Sequence, residues 1–368
     1  MKKLIYIVLL GLLFTPIFAQ AQEKTAPDET FKAEVVEVLR EQDTKLQDGT
    51  VSRQQNLKIK GLEDKFKDKI FEYDGIGNID VIKKNFYKVG DKVLVVASSD
   101  DQNSYTYYVT DFVRGNSLLI LFIIFIVALI LVGGWKGFRS LLSLGLSFLV
   151  IMKYIVPQIL DGADPIIVTV IGSFFILFFI IYLTEGFNSN AHVSVVSIFL
   201  SLIITVVLSS LFVGFTKLSG IANEETSFLI GIGTQAINFQ GLLMAGIIIG
   251  TLGVLDDIVI SQVSTVQELH KVDVYQGRWQ LFKRAYGVGV SHISSMTNTL
   301  FLAYAGASLS LLVLFGSGQS GFSGWGQAVN NEMIATEIVR TLAGSVGLIL
   351  SVPIATLIAV WWTKRKVV

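Results

Sequence analysis

This 368-residue sequence predicts an α-helical polytopic membrane protein of about seven transmembrane helices, preceded by a small extracytoplasmic β-barrel-like domain. Three observations carry that expectation. Hydrophobic residues make up 52% of the chain and charged residues 16%, with a mean hydropathy of +0.62, which does not describe a soluble enzyme of this length. The formal net charge is +0, yet Glu23 to Arg114 hold more than half of all Lys, Arg, Asp and Glu residues, so two solvents have shaped two parts of the chain. Beyond Arg114 the sequence runs in apolar blocks close to the ~20 residues that cross ~30 Å of hydrocarbon.

Lys2 and Lys3, the apolar run Leu4 to Phe14 and the small residues Ala19 and Ala21 make a targeting segment. We expect a signal peptide over 1–21, cleaved after Ala21. An uncleaved first anchor is the alternative, and either one exports the segment behind it. In that segment, 22–116, apolar residues alternate in Ala33 to Leu39, Gln55 to Gly61 and Lys92 to Ser98, and an aromatic run spans Tyr105 to Phe112. Asp48-Gly49, Asp74-Gly75 and Gly90-Asp91 supply turns between them, so five or six short strands are expected. The charges here are mixed in sign, with no cluster of His or carboxylates at metal-ligand spacing, and the expected role is a compact cap or docking module for an extracytoplasmic protein partner. No basic patch stands out, which argues against nucleic acid as a partner. The chain has no cysteine, which excludes disulfides, thiolate chemistry and an acyl-anchored cysteine.

The membrane domain, 117–368, is read as seven spans: Leu118 to Gly134, Leu141 to Val156, Ile166 to Leu183, Val193 to Val213, Phe239 to about Val259, Ile293 to Phe315, and Ile338 to Trp362. Helices are required because lipid offers no partner for free backbone groups. Charge in the loops tests the count independently. One set of connections collects Lys136 and Arg139, then Lys271, Arg278, Lys283 and Arg284, then Lys364, Arg365 and Lys366. The facing set carries Lys217 and otherwise Asp161, Asp164, Glu224, Glu225 and Glu332. That alternation places the first set, and the C-terminus, in the cytoplasm, with the β domain outside. Lys153, near the outer end of the second span, is expected to snorkel to the interface. An amphipathic helix along the inner face is expected over 258–287, and the Gly-rich run from Gly316 to Gln327 reads as an outer loop.

Polar groups at membrane depth carry whatever chemistry the chain performs, because a charge in hydrocarbon costs at least ~2.5 to 3.5 kcal/mol and must be compensated. Asp256 and Asp257 lead. With Phe239 at the outer face, a rise of ~1.5 Å per residue puts them about 26 Å down, in the inner third of the bilayer. His292 and Ser294 enter the sixth span at similar depth. Together with Ser261, Gln262 and Asn298, these residues are the candidate site for an ion or small polar solute; the bland alternative is a helix end with interfacial acids. Gly241, Gly246, Gly250 and Gly253 read first as a close-packing signal. Glu337 and Arg340, three residues apart, are expected to form a structural ion pair, while Glu185 and His192 read as ordinary interfacial residues. Pro353 is expected to kink the last span. Gly321-Phe322-Ser323-Gly324 matches a short serine intramembrane-protease motif, but this Ser belongs to the outer loop and His292 to the inner side, so they cannot act as nucleophile and base. Asp256 and Asp257 are adjacent on one helix, unlike an aspartyl pair that faces across two. No catalytic constellation, phosphate loop, dinucleotide fingerprint or zinc motif is visible, so no enzyme activity and no cofactor are expected.

Gly250 to His270 (GTLGVLDDIVISQVSTVQELH), Ser294 to Leu309 (SSMTNTLFLAYAGASL) and Glu337 to Ile358 (EIVRTLAGSVGLILSVPIATLI) resemble the signature segments of the YibE/F-like bacterial membrane proteins. The chain departs from that pattern at Val290-Ser291-His292, where many relatives place a basic-acidic pair before the histidine, so no role resting on such a pair carries over. The resemblance implies a multi-pass protein of the bacterial inner membrane, with the lipid bilayer as its surroundings, and implies no activity. Two readings stand: translocation of an ion or small solute through the Asp256, Asp257 and His292 region, or a non-transporting scaffold whose β domain recruits a partner.

Overall fold

Period-two alternation buries one face of each strand in the N-terminal part. The computed structural model describes residues 29–45, 51–76, 86–99, 105–222, 224–232, 237–317 and 324–363. The expected signal peptide, Gly321 to Ser323, and Lys364, Arg365 and Lys366 lie outside them. Two compact units are formed, Met1–Ile124 and Phe125–Val368.

In the first unit, β1 (Glu29–Lys45), β2 (Val51–Gly61), β3 (Ile70–Asp74), β4 (Lys92–Ser99) and β5 (Tyr105–Phe112) make one antiparallel sheet in the order β3-β2-β1-β4-β5. The inward residues Phe31, Ala33, Val35, Leu57, Ile59, Val93, Val95, Ala97 and Val109 are at most 3% exposed. Two register shifts in the β1–β2 ladder, at Val35/Glu37 and Val38/Arg40, bend the long first strand as bulges do. The sheet's edge strands approach each other: the rings of Phe71 on β3 and Tyr107 on β5 are 4.4 Å apart, although no hydrogen-bonded ladder joins those strands among the described residues. Gln55, 6% exposed, acts as a substitute strand, since its amide accepts from Tyr87 N at 2.8 Å and donates to Tyr87 O at 3.1 Å. The Tyr87 ring beneath it is buried, its hydroxyl has no hydrogen-bond partner, and burial pushes the phenol up to about 12.

The second unit is helical. Among the described residues five helical stretches are long and apolar enough to cross a membrane: Gly115–Leu160, Pro165–Thr184, Ser189–Phe215, Phe239–Val272 and Glu332–Trp362. A sixth arises if Arg278–Ala307 and Leu309–Gly316, bent by 67°, count together. We name these helices α1 (Gly115–Val150), running through a π turn at Ile151–Ile155 into α2 (Val156–Leu160), then α3 (Pro165–Thr184), α4 (Ser189–Phe215), α5 (Glu224–Ile232), α6 (Phe239–Val272), α7 (Arg278–Ala307), α8 (Leu309–Gly316), α9 (Trp325–Val329) and α10 (Glu332–Trp362). Within α1 the backbone leaves the helix at Gly134, with φ 55° and ψ −135°, a conformation only glycine reaches without strain. The chain doubles back there, because Gly137 lies against the Leu129 carbonyl with no room for a Cβ. Side-chain caps start the later helices: Asp164 for α3 with Pro165 behind it, Asn188 for α4, Asn238 for α6 and Asn331 for α10.

Small residues and hydroxyls knit the bundle. Ser197, Ser201, Thr205 and Ser209 recur every fourth residue on α4, each fully buried. The first three donate to the carbonyl four residues back, at 2.7 to 2.9 Å, so they pack as small residues with their polarity already satisfied. Thr205 fills the space a side chain at Gly347 of α10 would need. Gln262, fully buried on α6, donates to Ala285 O of α7 at 2.9 Å and Thr356 Oγ1 of α10 at 2.7 Å. Gly289 leaves room for that amide, since a Cβ there would stand 2.8 Å from Gln262 Oε1.

α10 includes Pro353 within its length. Two expectations are modified. The run 258–287 is no single surface helix: its first half continues α6 to Val272 and its second half opens α7 at Arg278, with a short connection between. Of the four glycines on α6, Gly250 faces the Tyr304 hydroxyl and Gly241 faces Asn238 and Pro165, while Gly246 and Gly253 face open space.

Candidate functional site

The second unit contains a cavity of about 540 Å³ at one end of the bundle. Asp256, Asp257 and Ser261 of α6 line it from one side. Opposite stand Ser140, Ser143 and Ser147 of α1, and Thr184 with Glu185 at the end of α3; Phe125, Leu129, Leu144, Ile180 and Ile260 complete the wall. The reversal at Gly134 builds this site. Phe125 and Leu144 would be about 28 Å apart on an unbroken helix, yet both border the same cavity.

Asp256 is 9% exposed, and its Oδ1 accepts from Asp257 N at 3.0 Å; Asp257 is exposed. The hydroxyls around them face the cavity in a particular way. Ser143 donates to Ser140 O at 2.9 Å, Ser147 to Ser143 O at 2.8 Å and Thr184 to Ile180 O at 2.6 Å. Each single hydroxyl proton is thereby committed to the backbone, which leaves oxygen lone pairs for the cavity. Three carboxylates and these hydroxyls make an acceptor-rich lining, with no Lys, Arg or His among its described residues. Among the described residues no group of three or more His, Cys, Asp and Glu is arranged to hold a metal ion.

The structure brings together only part of the set named from sequence. Asp256, Asp257 and Ser261 share the cavity, whereas His292, Ser294 and Asn298 of α7 do not line it. His292 is half-buried with Nδ1 lacking a hydrogen-bond partner, and Ser294 and Asn298 are exposed. Glu185, read as an interfacial residue, is the third carboxylate of the site, while His192 is engaged by the Tyr182 hydroxyl at 2.7 Å. The α1 serines were missed, although their spacing at 140, 143 and 147 marks one face of a helix. The expected ion pair forms, Arg340 Nη1 to Glu337 Oε1 at 3.1 Å.

The cavity's end of the bundle also carries an aromatic rim. Arg139 lies 5.8 Å from the Trp135 ring, Lys283 5.3 Å from Trp279 and Arg278 5.1 Å from Trp361, and Trp362 Nε1 donates to Ser189 Oγ at 2.6 Å. Trp beside Lys and Arg is the composition of a membrane–water interface. At the other end Glu332 Oε1 accepts from Ser219 N, Ser219 Oγ and Gly220 N at 2.6 to 3.1 Å, locking the turn after α4 onto the start of α10.

No curated protein and no solved structure matches this chain. A family model described as YibE/F-like protein matches residues 121–365, well over half of the sequence and all of the residues that form the cavity. The chain is therefore a member of the YibE/F-like family.

Proposed function

We propose that this protein moves a cation, or a small solute carrying positive charge, across the membrane by way of the Asp256, Asp257 and Glu185 cavity. The observation that carries the reading is the lining itself: carboxylates and lone-pair-presenting hydroxyls on helices long and apolar enough to cross a membrane, unanswered by any basic side chain among the described residues of the cavity. Such a group of acids is costly in hydrocarbon unless a proton, cation or cationic solute compensates it. A volume of about 540 Å³ suits a hydrated or organic cation better than a bare chelated metal. In the same reading the two arms of α1 are separate spans and the bent α7–α8 pair is another, giving seven crossings of a bacterial inner membrane. The Trp-rich rim and the C-terminus are then cytoplasmic, and the sheet, curled into a small barrel, lies outside behind a cleaved signal peptide. The chain is a carrier and not an enzyme.

Proteoliposome flux tests this directly. Wild-type protein should conduct a cation from a panel of alkali, alkaline-earth and small organic amines, and Asp256→Asn/Asp257→Asn should reduce that flux by about tenfold or more while eluting as a folded protein. Equal flux in both would remove the acids from the mechanism. The exposed Val36, Leu39, Ile70 and Tyr105 of the sheet favour the second reading, a scaffold whose β unit recruits an extracytoplasmic protein. That reading requires deletion of Gln22 to Arg114 to abolish the cellular phenotype while the Asp→Asn pair leaves it intact.

A further inference from the structure

A second cavity, of about 340 Å³, lies near the Glu332 end of the bundle, and every residue of its wall belongs to the helical unit. α7 and α8 meet there at 67°, and the bend at Ser308 sets Phe301 of α7 and Leu312 and Phe315 of α8 around the same space as Ile338 and Leu342 of α10. The wall is apolar apart from Tyr304, Ser308, Glu337 and Thr341. Polar groups gather at Glu337. Arg340 Nη1 stands 3.1 Å from Glu337 Oε1, and both side chains lie within electrostatic reach of the Tyr304 hydroxyl. Two atoms of this group are left over: Tyr304 Oη and Arg340 Nε are buried, with no hydrogen-bond partner among the described residues. A buried donor without an acceptor is costly, so the pair calls for an oxygen that the chain itself does not bring.

We infer that this cavity holds a membrane phospholipid, one acyl chain filling the apolar space while an oxygen of the ester or phosphate head accepts from Arg340 Nε and the Tyr304 hydroxyl. The lining excludes other occupants. Each water needs about two to four polar partners, which walls of this kind do not supply, and dry apolar cavities of roughly 150 Å³ already take up benzene. A partner helix about 10 Å across cannot enter this volume. A cation finds Glu337 already answered by Arg340. What fits is a slender apolar body with acceptors at one end, since the guanidinium N–H can only donate. Both the volume and the make-up, an apolar wall with a few convergent polar groups, match small-molecule sites of ~300 to 1,000 Å³. The source of such a molecule is at hand, because α10 and the bent α7–α8 pair are apolar enough to lie among acyl chains. This cavity shares no wall residue with that of Asp256, so the lipid site stands or falls independently of transport.

Photolabelling of the full-length protein tests this, in phosphatidylglycerol liposomes that contain a trace of phosphatidylglycerol with a diazirine in its acyl chain. After illumination and digestion, label should concentrate on peptides spanning 301–315 and 334–342, several-fold above the peptide around Val207, which is 55% exposed on α4 and reports ordinary lipid contact. Ala305→Trp, which fills the cavity, should lower the site label several-fold and leave the Val207 peptide unchanged. Tyr304→Phe/Arg340→Gln removes the donors at nearly constant volume and should do the same, so the test survives if the first variant fails to fold. A diazirine-bearing free fatty acid should label the site no more than the Val207 peptide. The inference is overturned if label spreads evenly over the apolar helices, which would make the cavity ordinary lipid-facing surface. It is equally overturned if the site label persists in either folded variant, or if the free fatty acid is captured there and the phospholipid is not.

Discussion

At the scale of single residues, the chemistry depends on which protons are already spent. Ser143, Ser147 and Thr184 give theirs to backbone carbonyls and so keep only acceptor capacity for the cavity they line with Asp256 and Asp257. Burial works differently at Tyr87, where a phenol with no partner for its hydroxyl is held neutral well above the ordinary value of 10.0, up to about 12. Because the folded value is raised, the associated stability is fully present below about pH 10 and is lost as the pH climbs toward about 12, amounting to about 2–3 kcal/mol. Tyrosinate absorbance should therefore show one of the 11 tyrosines ionising last, together with the loss of the sheet, and Tyr87→Phe should remove that final phase. At neutral pH the same substitution should be neutral or slightly stabilising, since it deletes an unsatisfied buried hydroxyl.

Elements were legible in the sequence to different depths. The strands and the apolar blocks announced themselves through periodicity, whereas the hydroxyls of α4, which recur at every fourth position along a buried seam, went unread. What period and depth do not give is rotation about the helix axis relative to a neighbour. His292, Ser294 and Asn298 enter at a depth like that of Asp256, yet α7 turns them away from the cavity, and Glu185 is turned in by the end of α3. The continuation of α6 past Val259 was hidden because Val259, Val263 and Val266, followed by Trp279, Phe282 and basic residues, suggested a surface helix; Glu268 and Lys271 form an exposed pair at 2.6 Å on the same rod as those valines. The seam itself makes a prediction at this scale. Gly347→Ala would force the α10 backbone off Thr205 and cost about 1–3 kcal/mol, seen as a lower Tm in detergent, and Thr205→Ala should recover most of it. If the double substitution is no more stable than Gly347→Ala alone, the α4–α10 contact is not what this glycine serves.

At the scale of the whole molecule, composition separated the two parts, and residues 121–365 place the helical part in its family. Function was less legible because the site is assembled from three helices that are distant in sequence, and because its entrance wall depends on a chain reversal at one glycine. The central claim is that this assembly binds positive charge. Thermal unfolding of the detergent-purified protein against a panel of metal ions and small organic amines tests it most directly, with Asp256→Asn/Asp257→Asn run in parallel. A ligand at about 100 times its dissociation constant stabilises by about 2.7 kcal/mol, so the account predicts a clear rise in Tm for at least one cation in the wild type, absent in the double variant. A wild type indifferent to every cation, or a shift that survives loss of both acids, would contradict it.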